Sequence, residues 1–441
     1  MVKTRYPVNI TKSYLFKLSL PLFFANLAIP LVSIIDTGLM GHLGSSMYIA
    51  ATSIATSVLS VIFWSFGFLR MGTVGLISQA LGKGDYREIS KIFLRNLLIA
   101  FIISLIIILS KDLIIYYINH FFSISEKTKK LIDQYVSIRI FSAPAELIIY
   151  VLIGFYLGIQ KTKVSSLLMI VFSSLNILFS SYFVLVMNLN IYGVAIGTVL
   201  SAYITIIIFL TYTYYFVRSN FQVLPRFKKL FNEKKVFQLL NINSDIFIRT
   251  FLLTFSFLWI TYQGSKLGED YLAVNSIMLQ FILVASFFLD AYAFSTEGVV
   301  GFAVGRRVKK TFLNTVRNCF ELSFLSSLVI SVLYIVFCKI LINALTDLEY
   351  IRFLAYGYIF WVVLIPIVAS FCYQFDGIFV GATQTKEMRN SMIISVFIFI
   401  LLSQFLTNEY GNHGLWFSFL VFMILRSLTL KLFFYRIMNK F

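Results

Sequence analysis

The chain has 441 residues, of which 59% are hydrophobic and only 13% charged, with a mean hydropathy of +0.88. A soluble domain carries about a quarter charged residues, so this composition excludes a soluble globular enzyme and a disordered chain; unbroken apolar runs also argue against a barrel of alternating strands. The net charge of +18 would point to nucleic acid in a soluble protein, but loops on the cytoplasmic side of a membrane protein collect Lys and Arg without such a partner.

Apolar runs separated by polar or Gly-rich breaks predict twelve membrane-spanning helices. The first, 15–38, holds Pro21 and Pro30 and ends near Asp36. Proline removes a backbone donor, so this helix can kink or flex, and the two prolines are candidate hinge positions. Spans 47–70 and 92–118 follow, then 131–156 with Arg139, Pro144 and Glu146. Span 164–187 carries Asn176 and, one turn later, Ser180; span 192–216 carries Thr198. The polar stretch 217–236 divides the chain into a first half, 1–216, and a second, 237–441. The second half has spans 237–262 with Arg249, 271–297 with Asp290 and Glu297, 313–338, and 350–380 with Pro366 and Asp376. Spans 390–407 and 414–437 complete it, the last with Arg426.

Loop charge predicts orientation. With both termini cytoplasmic, inner segments hold 26 Lys and Arg against seven outside. The stretch at the start reads as a retained first span, not a cleaved signal.

The halves repeat. Tyr48–Ile54 matches Tyr271–Ile277, Gly75 to Lys83 matches Gly298 to Arg306, and Gly154–Gly158 matches Gly377–Gly381, each at an offset of 223. Six helices repeated after an even number of crossings give a parallel repeat, an architecture suited to alternating access around a central site. The fold expected is therefore an all-α integral membrane protein with two pseudo-symmetric six-helix lobes. The Gly-x-x-x-Gly pairs at 154/158, 193/197, 301/305 and 377/381 are expected to be close-packing faces.

Ionisable groups inside a membrane are costly, so each is either functional or paired. Asp36 is a candidate proton or cation site. Asn176, Ser180 and Thr198 are candidate oxygen ligands beside it, or helix–helix hydrogen bonds. Asp290, Glu297, Asp376, Arg249 and Glu146 form a candidate secondary polar or substrate site, with Arg249 or Arg426 a possible partner of Asp376 and Arg139 of Glu146. Cys319, Cys338 and Cys372 make no disulfide or metal pattern, and His42, His120 and His413 lie far apart. No phosphate loop and no Ser-His-Asp or Cys-His set is visible, so no cofactor, metal or enzymatic activity is expected.

These residues resemble a family. Pro21 through Asp36-Thr-Gly-Leu-Met-Gly-His-Leu-Gly44 looks like the first helix of the MATE (multidrug and toxic compound extrusion) transporters. Phe66-Gly-Phe-Leu-Arg-Met-Gly-Thr73, Gln79-Ala-Leu-Gly82, Ile138-Arg139 with Ser142-Ala-Pro144, Asn243-Ser-Asp-Ile246 with Arg249, Leu289–Phe294 with Glu297, and Tyr373–Gly381 are similar to its DinF-like branch. The resemblance implies two six-helix lobes in a bacterial cytoplasmic membrane that export amphipathic, cationic organic compounds in exchange for H⁺ or Na⁺. It also implies that Asp36, Asn176 and Thr198 match the family's coupling residues. Ser180 departs, standing where the motif has Asp. A hard cation favours several oxygens and negative charge, so the loss of one carboxylate favours H⁺ over Na⁺. A monomer is expected. A Na⁺-coupled exporter and a flippase for a lipid-linked precursor or metabolite are the alternatives. A membrane-embedded transferase would need a catalytic cluster that the sequence lacks.

Overall fold

The computed structural model describes residues 10–41, 43, 46–121, 125–221, 233–439 and 441; His42 and most of the 217–236 stretch lie outside them. Every regular element among the described residues is helical. The α-helices, in chain order, are α1 (Lys12–Gly41), α2 (Ser46–Ser65), α3 (Phe68–Lys83), α4 (Tyr86–Leu109), α5 (Lys111–Phe121), α6 (Glu126–Arg139), α7 (Ala143–Gly158), α8 (Thr162–Ser181) and α9 (Asn190–Phe221). Then come α10 (Glu233–Leu267), α11 (Glu269–Arg306), α12 (Lys309–Leu345), α13 (Glu349–Tyr356), α14 (Ile359–Gly381) and α15 (Thr385–Met438).

Local chemistry sets the breaks. α3 stops where Gly84 takes φ 73°, and α4 starts at once because the Asp85 carboxylate accepts the Glu88 N–H at 3.0 Å. α4 ends at Ser110, so the expected span 92–118 is shorter and begins earlier, and 111–121 is a separate short helix. The expected twelve spans appear as eleven apolar helical runs among the described residues, because the last two are continuous in α15. A helix of 54 residues would be about 80 Å long, far beyond a hydrocarbon core of about 30 Å. Gly411, at φ 57° and ψ −140°, turns the chain between them in a conformation that only glycine adopts readily.

The chain divides into two compact units. One comprises Pro21–Leu240; the other comprises Asn241–Phe441 and the start of α1, up to Leu20. The division therefore falls inside α1, at Pro21, and inside α10. The first turns of α1 are held in the second unit by Lys12 on Glu321 at 2.5 Å, Ser19 on Ser295 at 2.9 Å, and the Asn318 amide on the Ile10 carbonyl at 2.7 Å.

Each unit repeats the other's internal layout at the offset of 223. Helix ends recur at Lys83 and Arg306 and at Gly158 and Gly381; helix starts recur at Tyr86 and Lys309, Glu126 and Glu349, and Thr162 and Thr385. Left-handed residues recur as well: Gly84 and Arg307 (φ 73° and 56°), Gln160 and Thr383 (φ 57° and 51°). Packing repeats to the atom. A Cβ on Gly154 would meet the Arg70 carbonyl at 2.6 Å, and one on Gly377 would meet the Ala293 carbonyl at 2.7 Å. Glycine at these positions lets α7 lie against α3, and α14 against α11, backbone to backbone.

Candidate coupling site

In the first unit the site is built on the contact of α8 with α9. A Cβ on Gly197 would stand 2.6 Å from the Ser180 backbone nitrogen, so only glycine permits this approach. The approach brings Thr198 to Asn176, whose amide donates to the Thr198 hydroxyl at 2.9 Å; that hydroxyl donates to the Val194 carbonyl at 3.0 Å. Ser180 Oγ is 3.4 Å from Asn176 Oδ1 and lies near Asp36 of α1. Asn176, Ser180 and Thr198 are buried, whereas Asp36 is half-buried. Its Oδ1 is screened from solvent yet has no hydrogen-bond partner among the described residues.

Arg139, at the end of α6, lies close enough for its charge to act on Asp36. Its Nη1 is 2.5 Å from Glu146 Oε1 and also donates to Ser142. The Phe63 ring lies 5.2 Å from the guanidinium carbon, a cation–π contact.

The second unit places its charges differently. Asp376 of α14 accepts from two guanidinium groups: Arg249 of α10, and Arg426 of α15 at 2.7 Å. All three are nine-tenths buried or more. Asp290 of α11 lies in the same field, acting on Tyr373 and Cys372, and Tyr373 is hydrogen-bonded to Ser286 at 2.6 Å. Glu297 is buried further along α11, where its backbone carbonyl would meet a Cβ on Gly381 at 2.5 Å. No group of three or more His, Cys, Asp or Glu among the described residues is arranged to hold a metal ion.

A family profile described as MatE matches residues 21–182 and 246–406. Over 417 residues the chain is 34% identical to DNA damage-inducible protein F of Escherichia coli (strain K12), covering 94% of this chain and 90% of that protein. The chain belongs to the MatE family. It is also 25% identical over 205 residues to the multidrug export protein MepA of Staphylococcus saprophyticus, 46% of each chain. Its fold matches that of the MATE transporter VcmN of Vibrio cholerae with a TM-score of 0.85, at 18% identity over 96% of both chains. Members of the MatE family are multi-pass transporters, so this chain is a transporter and not an enzyme.

Within this MatE chain, the structure brings Asp36, Asn176, Ser180 and Thr198 together. Glu146 joins that cluster through Arg139 instead of the second polar group, with which it was first placed. Asp376 has both candidate arginines, not one. Pro21 and Pro30 lie inside α1, which continues as helix past both. Sequence reasoning missed Ser142 and Phe63 around Arg139, and the pair of Asp245 with Arg389 at 2.7 Å and Thr385 at 3.0 Å. The spacing of Asp245 four residues before Arg249 would have suggested a different pair, since Arg249 serves Asp376.

Proposed function

We propose that this transporter is an H⁺-coupled antiporter of a bacterial cytoplasmic membrane, with both termini inside, that exports amphipathic organic cations by alternating access. The observation that carries the reading is the setting of Asp36. One carboxylate stands half-buried beside neutral oxygen groups, with one oxygen unpartnered among the described residues, on a helix that bears Pro21 and Pro30. A Na⁺ site would want more negative charge, and the nearby Arg139 repels a metal cation while leaving a carboxyl free to take or lose a proton. Asp36 takes a proton from outside, α1 shifts, and substrate leaves outward; loss of the proton inside restores the binding state. Aromatic and Met side chains hold flat apolar cations without fixed geometry. The names of the relatives, a multidrug export protein among them, support efflux as the direction. The flippase reading needs cations free to meet a phosphate, and Arg249 and Arg426 both serve Asp376.

The test is uptake of a fluorescent organic cation into inverted vesicles under an imposed pH gradient, with and without Na⁺ at fixed pH. Acid-inside gradients drive uptake and Na⁺ adds nothing. Uptake that follows Na⁺ and ignores pH overturns the proposal.

A further inference from the structure

Arg139 sits at a joint. A three-residue 3₁₀ turn, Ile140–Ser142, interrupts the helical run Glu126–Gly158 between α6 and α7, and a 3₁₀ stretch inside a helical run often marks a hinge. The guanidinium is tied across this joint to Glu146, and the Ser142 hydroxyl lies 2.8 Å from both Glu146 Oε1 and the Arg139 carbonyl. That hydroxyl has one proton and serves one acceptor at a time. Tyr135, one turn earlier on α6, lies beside Arg139. The titratable groups facing this cluster are Asp36 from α1, Arg70 from α3, Tyr135 from α6, and Glu146 and Tyr150 from α7. From α9 the Tyr203 hydroxyl donates to the Phe141 carbonyl of the joint at 3.0 Å, and the groups from α8 and α9 nearer Asp36, namely Asn176, Ser180 and Thr198, are neutral.

Two carboxylates thus share the field of one guanidinium. While Asp36 carries a proton, Glu146 is the only ionised acid of the two, and Arg139 belongs to it. Once Asp36 loses its proton, both compete, and the unpartnered Oδ1 is where a new bond would form. A guanidinium has five N–H donors and can span two acceptors, so the exchange leaves no buried charge alone.

We propose that Arg139 is the positioning residue of the coupling step: it is committed to Glu146 and Ser142 when Asp36 is protonated, and turns toward Asp36 when Asp36 is ionised. The proton passes from Asp36 to water, Arg139 keeps all of its own, and Glu146 stays ionised. The turn pulls the α6–α7 joint toward α1 and so converts a change of one charge into a movement of helices. This rests on the reading of Asp36 as the proton site.

The experiment is the pH profile of gradient-driven transport in proteoliposomes for Glu146→Gln, Arg139→Gln and the double variant, with Asp36→Asn alongside. Glu146→Gln removes a negative neighbour and releases Arg139 to Asp36. Loading Asp36 then needs more acid, and half-maximal transport moves to lower pH by about one unit, tenfold in proton concentration. Arg139→Gln removes the positive neighbour and moves it the other way. The double variant falls between the two. Ser142→Ala, which removes one tie between Arg139 and Glu146, shifts the profile in the direction of Glu146→Gln by less, and stands in if a charge variant fails to fold. Shifts of the same sign, or lost activity with an unmoved profile, assign Arg139 a structural role and overturn the proposal. If Asp36→Asn transports as wild type, the reading of Asp36 itself fails, a separate result.

Discussion

At one repeat position the two units differ in a single chemical choice. Asp36 and Trp259 are 223 residues apart, as are Ser180 and Ser403. In the second unit the Trp259 indole donates to the Ser403 hydroxyl at 2.7 Å; in the first, Asp36 faces Ser180. The neighbours follow suit. The counterparts of Arg139, Glu146 and Asn176 are Val362, Ala369 and Phe399, all buried in the apolar core of the second unit. Conversely, the counterparts of Arg249 and Asp376 are Asn26 and Ile153. The repeat preserves helix ends, left-handed turns and glycine contacts, but not charge. Packing constrains both copies alike; chemistry is free to diverge. One unit keeps a carboxyl with an oxygen that has no partner among the described residues, and the other holds its carboxylate between two guanidinium groups.

That contrast can be broken at its two carboxylates. Asp36→Asn is expected to reduce gradient-driven transport to background in inverted vesicles, with little change in thermal unfolding in detergent, because a half-buried carboxyl with an empty acceptor site contributes little to the fold. Asp376→Ala is expected to do the reverse first: it strands two buried guanidinium groups, at a cost of about 3–5 kcal/mol. Thermal unfolding should fall far more than for Asp36→Asn. Equal losses of stability in the two variants would erase the distinction between a working carboxyl and a structural one.

How much of this was legible in the sequence follows the same division. Backbone features were legible, because hydropathy and the glycine pairs act locally or through simple periodicity. The offset of 223, found from Gly and Ala matches, fixed the repeat to the residue. The last two spans were read as separate segments, and a non-helical residue does divide α15, yet nothing marked Gly411 as a turn within continuous helix instead of an ordinary loop. Charge pairing was half legible. Seven residues, about two turns, link Arg139 to Glu146 within one span. Arg249, Asp376 and Arg426 lie on three helices far apart in sequence, so choosing between the arginines required tertiary structure. The nearness of Arg139 to Asp36 was not legible at all, since it depends on how α1 and α6 pack.

A smaller effect sharpens the packing side of the comparison. Gly197→Ala and Gly381→Ala each place a Cβ against backbone, 2.6 Å from the Ser180 nitrogen and 2.5 Å from the Glu297 carbonyl. Neither neighbour is a side chain that can turn away, so each variant is expected to lose about 1–3 kcal/mol by forced helix separation. Only Gly197→Ala should also impair coupling, since it moves Thr198 away from Asn176. Unfolding and transport assays on both variants separate the two effects.

The smallest expected effect lies at the Trp259–Ser403 pair. Trp259→Phe keeps the ring and removes only the indole donor. The Ser403 hydroxyl still donates to the Ile400 carbonyl at 2.9 Å, so no buried polar group is left wanting. Hydrogen bonds between membrane helices are worth about 0.6 kcal/mol on average, and that is the loss expected. Ser403→Ala removes the acceptor instead and strands the indole N–H, at about 1–3 kcal/mol. Ser180→Ala, its counterpart, strands no such donor; it is expected to spare stability and to change the pH profile of transport, because its neighbour is the carboxyl proposed to take and lose the proton. If both serine variants lost stability equally and neither moved the profile, Ser180 would be packing, as Ser403 is.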